Sequence, residues 1–107
     1  MITKADKICA ICGKPAECTH HLIGGTGKRK LADEDGLTIP LCNSCHNMAV
    51  KATERIHGNP MAEILSKMLG QLAWEMRYIE KQVELPFDDL GTEAREAFLK
   101  RYGKRYL

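Results

Sequence analysis

The spacing of apolar positions changes character along the chain. Up to residue 47 they come in short runs, Lys7–Ile11 and Leu37–Leu41, set among cysteines, glycines and turn residues. Runs of that length predict strands. From Met48 onward the pattern reads as helix. Residues 46–57 predict one helix, ended by Gly58, and Asn59 and Pro60 then supply a natural N-cap and first helical residue. Beyond them Leu65, Leu69, Leu72, Met76, Ile79 and Val83 step by four and three, a stripe along one helix face. Pro86 is expected to stop that helix and LPFDDLG to form a loop. Thr92 then caps a last short helix carrying Ala94, Ala97, Phe98 and Leu99. The first expectation for the stripe is a face packed on its own domain, with Trp74 and Tyr78 widening it. The second is a dimer seam, because paired helices want a 4-3 repeat.

Length and charge narrow the class. A chain of 107 residues is one domain, or a small domain with a helical appendage. It buries a modest fraction of its surface, so a metal or oligomer staple would help it fold. No apolar run reaches the ~20 residues that cross a bilayer, and MITKADKICA lacks the apolar core of a secretory signal. The expectation is a cytoplasmic protein with no membrane partner, in a reducing setting where paired cysteines bind metal more often than each other. The net charge of +2 hides its distribution: residues 1–30 carry six Lys/Arg against two acids, 31–98 six against twelve, and 99–107 four against none. Two basic ends suit an anionic polymer such as nucleic acid.

Cys9 and Cys12 form one C-x-x-C, in KICAICGKP, and Cys42 and Cys45 another, in PLCNSCH. Zinc takes four tetrahedral sulfur or nitrogen ligands, and two such turns supply four thiolates. The 29 residues between Cys12 and Cys42 leave room for an inserted hairpin or loop. A redox dithiol would need a strand–helix context that the sequence lacks. Cys18, left over, reads as a small buried thiol. Bound zinc would also hold an irregular N-terminal half together, since metal binding adds to folding free energy.

The insertion contains CTHHLIGGTGKRK. GGTGK suggests a phosphate-binding loop, but that motif needs glycine where Leu22 sits and Ser or Thr where Arg29 sits. A zinc deaminase fails too, for want of H-x-E and P-C-x-x-C. If zinc ties the cysteine pairs together, His46 stands at the second knuckle while His20 and His21 lie on the insertion. Strand alternation sends those neighbours to opposite sides, so one can face a metal with His46 while the other faces substrate. His57 lies 11 residues past His46, ~16 Å along a continuous helix, and is expected to be a helix-end histidine outside any shared metal site.

The combination CAIC, THHLIG and GLTIPLCNSCH resembles the HNH endonucleases, the ββα-metal (His-Me finger) nucleases, in a zinc-stapled form like that of small phage or prophage members. The resemblance covers about residues 8–60. It implies an α+β fold: a zinc-stapled ββα-metal core over 1–60, then helices over 61–107 that pack on the core or dimerise. Position by position it makes His20 and His46 ligands of a catalytic divalent ion and His21 the general base. Cys9, Cys12, Cys42 and Cys45 become the structural zinc set. The middle Asn of the pattern is missing from ADEDGLTIPLC. Asp35 is the nearest residue to orient the base in its place, with Asp33 the runner-up.

The implied activity is hydrolysis of DNA phosphodiester bonds. Mg²⁺ or another divalent ion would stabilise developing charge, and His21 would take the proton of water, a task that suits imidazole because it is partly in its basic form at neutral pH. Lys28, Arg29 and Lys30 on the GGTG turn, and Lys100, Arg101, Lys104 and Arg105 at the other end, are expected to grip phosphates. A phage origin would place the protein in a bacterial host cytoplasm beside packaging or recombination proteins. The rival expectations are a zinc-ribbon nucleic-acid-binding module without catalysis, in which the histidines do not converge, and a dimerising helical scaffold.

Overall fold

The computed structural model describes residues 7–82 and 87–107, with side chains for 7–82 and 90–107. It is a small α+β structure: a two-stranded antiparallel sheet with helices around it. Strand β1 is Cys18–His21 and β2 is Thr38–Leu41, paired so that Cys18 faces Leu41 and His20 faces Ile39. Between them lies a short helix, α1, Lys28–Glu34. Lys28, Arg29 and Lys30, expected on the GGTG turn, therefore form the first turn of a helix whose N-cap, Gly27, is in the left-handed region (φ 78°). Ile8 makes an isolated bridge with Pro15 rather than opening a strand, and Ala10 N–H donates to Pro40 O, which docks the first cysteine turn on β2.

The helix predicted over 46–57 does not form. Residues Ser44–Met48 make one wide π-type turn, Ala49 leaves helical geometry (ψ 138°), and Ala52–Glu54 is a single 3-10 turn. The chain then folds back on the knuckle. Ile56 N–H donates to Cys45 O and His57 N–H to His46 O, both at 2.9 Å, while Arg55 Nη1 donates to Ala49 O at 2.6 Å. Those bonds replace the helical ladder and place residue 57 beside residue 46.

Helix α2 runs Pro60–Glu80, with Asn59 as N-cap accepting from Ala62 N–H and Pro60 in the first turn, as expected. Helix α3 runs Phe87–Tyr102. Thr92 is thus inside a helix and not its cap, and 87–91 of the expected loop are helical; Val83 and Pro86 lie outside the described residues. No helix among the described residues is long and apolar enough to cross a membrane.

The stripe on α2 faces the other way from the first expectation. Leu65, Leu69, Leu72 and Met76 are exposed, and the buried positions are Ser66, Gly70, Gln71 and Glu75. Close approach decides this. A Cβ at Gly70 would stand 2.8 Å from Ile23 Cγ1 and 3.1 Å from Leu22 Cβ, so only glycine lets the helix lie this near the end of β1. Trp74 stacks on Tyr78 and meets Phe98 edge-on, filling the space toward α3. Gln71, fully buried, accepts from the N–H groups of Tyr106 and Leu107 and donates to Glu75, tying the C-terminal tail to α2.

Gly70→Val is expected to lower unfolding stability by about 2 kcal/mol, since added methyl groups must displace fully buried Ile23 and Leu22. Urea unfolding followed by circular dichroism measures it; an unchanged midpoint would mean that α2 does not approach β1 in this way.

Candidate metal centres

Two clusters of metal-ligating side chains form, one of sulfur and one of nitrogen. Cys9, Cys12, Cys42 and Cys45 bring their sulfurs within 4.8 Å of one another, as the spacing predicts. Cys12 Sγ lies 3.7 Å from Cys42 Sγ, which matches the ~3.8 Å edge of a tetrahedron with Zn–S bonds of ~2.3 Å. Burial pushes the Cys9 thiol up, but hydrogen bonds around Cys12, Cys42 and Ile11 outweigh it and bring it down to about 6. Burial and the neighbouring thiols push Cys45 strongly up. The split follows from unequal hydrogen bonding within one coupled group of thiols: donors favour the Cys9 thiolate, whereas burial and the neighbouring sulfurs hold Cys45 protonated. The donor set fits zinc. Cys18 stands apart, half-buried, with its thiol on Leu41 O at 3.3 Å.

The nitrogen cluster is His20, His46 and His57. Ring centroids are 5.3 Å apart for His20–His46, 5.1 Å for His20–His57 and 4.6 Å for His46–His57. β1 supplies His20, the wide turn supplies His46, and the returning loop supplies His57. The expectation for His57 is overturned because the helix that would have carried it 16 Å away breaks at Ala49. Burial, then the neighbouring imidazoles, lowers His20 to about 4 and shifts His46 downward, so both rings are neutral at pH 7 with lone pairs free for a ligand.

Hydrogen bonds settle the tautomer of His20. The Ser66 hydroxyl donates to Leu22 O at 2.8 Å, so its oxygen is left to accept from His20 Nε2–H, also at 2.8 Å. The lone pair is then on Nδ1, which is buried and has no partner. An orphaned, buried imidazole nitrogen beside two other histidines is what a cation would satisfy. Glu63 Oε1 lies 3.5 Å from His57 Nδ1 and also accepts from Gly58 N–H.

His21, on the opposite side of β1, bonds Asp33 Oδ1 through Nε2 at 2.7 Å. Asp35 does not orient it. The Asp35 carboxylate accepts from Arg101 (2.7 and 2.8 Å) and Tyr102 (2.7 Å), and its carbonyl accepts from Arg77. Asp35 is a clamp between α1, α2 and α3. Two residues of helix, about 200° of rotation, explain the exchange: Asp33 points to β1 while Asp35, at the C-cap of α1, points to α3.

Two clefts of about 240 Å³ each flank the imidazoles. His21, Gly24, Gly25 and His57 line both; Ser66 and Lys67 belong to one, Arg29 and His46 to the other. Of the basic residues expected to meet phosphate, Arg29 is at the site, and Lys30, Lys100 and Arg105 are exposed. Lys28 and Lys104 lie 5.8 Å from the Tyr106 ring, together with Lys67. Arg101 is exposed but already engaged in ion pairs with Asp35 and Glu34. His57, Ser66, Glu63 and Lys67 were not found from sequence. For Ser66 a signal existed, a small polar residue on α2 outside its apolar stripe.

Residues 4–81 match a family described as protein of unknown function (DUF968), well over half of the chain. The chain belongs to that family. The DUF968 match spans both cysteine pairs, all four histidines and α2 to its last turn. No curated protein and no solved structure matches the chain.

Purified protein is expected to hold one tight zinc per chain by elemental analysis, and chelation should unfold the region around the knuckles; a folded, zinc-free protein contradicts the thiolate site. Ser66→Ala is expected to weaken divalent-ion binding at the histidines by about 10–100-fold in calorimetric titration. Equal affinity would show that Ser66 does not set the ligand nitrogen.

Proposed function

We propose that the chain is a metal-dependent endonuclease that hydrolyses phosphodiester bonds of DNA on a reduced ββα-metal framework. One observation carries the reading: three packed imidazoles, one with a buried orphan nitrogen, stand beside a separately oriented His21–Asp33 pair. A zinc-stapled binding module without catalysis would account for the cysteines and the lysines. It gives no reason to gather three imidazoles in one place.

His20, His46 and His57 would hold the divalent ion. When bound, such an ion supplies charge stabilisation at the scissile phosphate and the leaving oxygen. His21 handles the proton. Asp33 is an acceptor at His21 Nε2, so Nδ1 keeps the lone pair and takes the proton from the attacking water. Arg29 and Lys67, one in each cleft, hold the flanking phosphates, which positions the polymer without reading its sequence. Gly24 and Gly25 form a low wall common to both clefts, leaving room for a backbone to approach. The framework departs from the ββα pattern in two places. Asp33 stands where the pattern has Asn, and the helix is cut to one wide turn followed by the loop that brings His57.

Incubation with supercoiled plasmid and Mg²⁺ or Mn²⁺ tests this. His21→Ala is expected to lose at least ~10²-fold in nicking rate with metal binding intact. Asp33→Asn should lower the rate, whereas Asp35→Asn should act through thermal stability. No nicking by the wild-type chain with any divalent ion would refute the nuclease reading.

A further inference from the structure

α2 carries an apolar face that nothing in the described chain covers. Leu65 is 56 % exposed, Leu69 43 %, Leu72 47 % and Met76 60 %, with Met61 at 73 % beginning the row. At 100° per residue these five fall within one quarter of the helix circumference. Ile11, also exposed, joins Leu65 and Leu69 around an adjoining groove of about 250 Å³ whose floor includes Leu22, Ile39 and Ile56. The remaining surface of the helix is already used, by Ser66 on His20 at the rim of that groove and by Gly70 on Ile23 on the far side.

We infer that this face pairs with the same face of a second copy of the chain, the two α2 helices running antiparallel across a two-fold axis near residues 70–71. Three observations favour that occupant. The steps between Leu65, Leu69, Leu72 and Met76 are four, three, four, a row that reads the same in both directions. Reversal therefore sets Leu69 against Leu72 of the second copy and Leu65 against Met76, so the surface complements itself as an isologous contact requires. The 4-3 repeat is also the spacing that lets side chains of one helix enter the gaps of another. Finally, six half-exposed large side chains offer roughly 600 Å² per chain, close to the ~800 Å² per partner of a stable interface and at the upper end for a lone monomer's patch.

Antiparallel pairing sets each helix macrodipole against the reverse of its neighbour. It would brace the helix that also carries Ser66. The inference stands independently of the nuclease reading, since it uses no residue of the histidine or cysteine clusters.

Sedimentation equilibrium on the full zinc-loaded chain reads it. The wild type is expected at twice the 12.0 kDa chain mass. Leu65→Glu should move it to the monomer with unchanged circular dichroism, because the substituted position is exposed. Adding Met76→Lys in the same chain should restore the dimer, since position 65 of one copy faces position 76 of the other. A wild-type monomer at 100-fold the working concentration would overturn the proposal, as would a dimer indifferent to Leu65→Glu. Failure of Met76→Lys to rescue would overturn the antiparallel register, because a parallel pair sets like charges together.

Discussion

Four cysteine sulfurs within 4.8 Å of one another cannot all carry charge unless a cation sits among them. That constraint organises the N-terminal half. The first knuckle is held against β2 through Ala10 N–H and Pro40 O, and the second opens directly off the end of β2. With both knuckles fixed, the wide turn over Ser44–Met48 has one place to go, and His46 comes up against His20. The apolar residues buried alongside, Leu22, Ile23, Leu37 and Leu41, are too few to hold so irregular a segment alone. A metal held by these four sulfurs would add its binding free energy to the stability of the fold.

The histidine site depends next on a break in helix. Had 46–57 remained helical, His46 and His57 would stand about three turns apart. Instead Ala49 turns out, and the bonds from Ile56 N–H to Cys45 O and from His57 N–H to His46 O fold the loop back like a short ladder. A wide turn of this kind commonly marks a functional position, because it trades regular hydrogen bonding for a re-aimed side chain. α2 then closes the arrangement from outside the cysteine frame: Ser66 fixes the ring of His20 while Gly70 permits the distance. The C-terminal half therefore supports the site as well as packing beside it, with α3 tied in through Asp35, Arg101 and Tyr102.

Much of the chemistry was legible in the residues themselves. C-x-x-C turns announce metal because the spacing alone places two thiolates on one side of a tight loop. Alternation along a strand separates His20 from His21 whatever surrounds them, and the structure gives those two different partners, Ser66 and Asp33. Asn59–Pro60 starts a helix because local capping chemistry suffices.

Tertiary structure decided what local pattern could not. Sequence distance favours Asp35 over Asp33 as the partner of His21, and only the contact of α3 with α1, which takes Asp35 into a clamp, reverses that order. His57 reached the cluster through backbone bonds between segments eleven residues apart, which no periodicity encodes. The apolar stripe on α2 specified a face that wants burial but not which neighbour buries it. A single glycine at position 70, by allowing contact with Ile23, turned the small polar side inward and left the leucines outside. The sequence by itself determined the ligand types, the alternation of the paired histidines and the helix start. Long-range backbone bonds and the packing distance between α2 and β1 determined which of those residues meet, because hydrophobic pattern carries direction without a partner and contact supplies it.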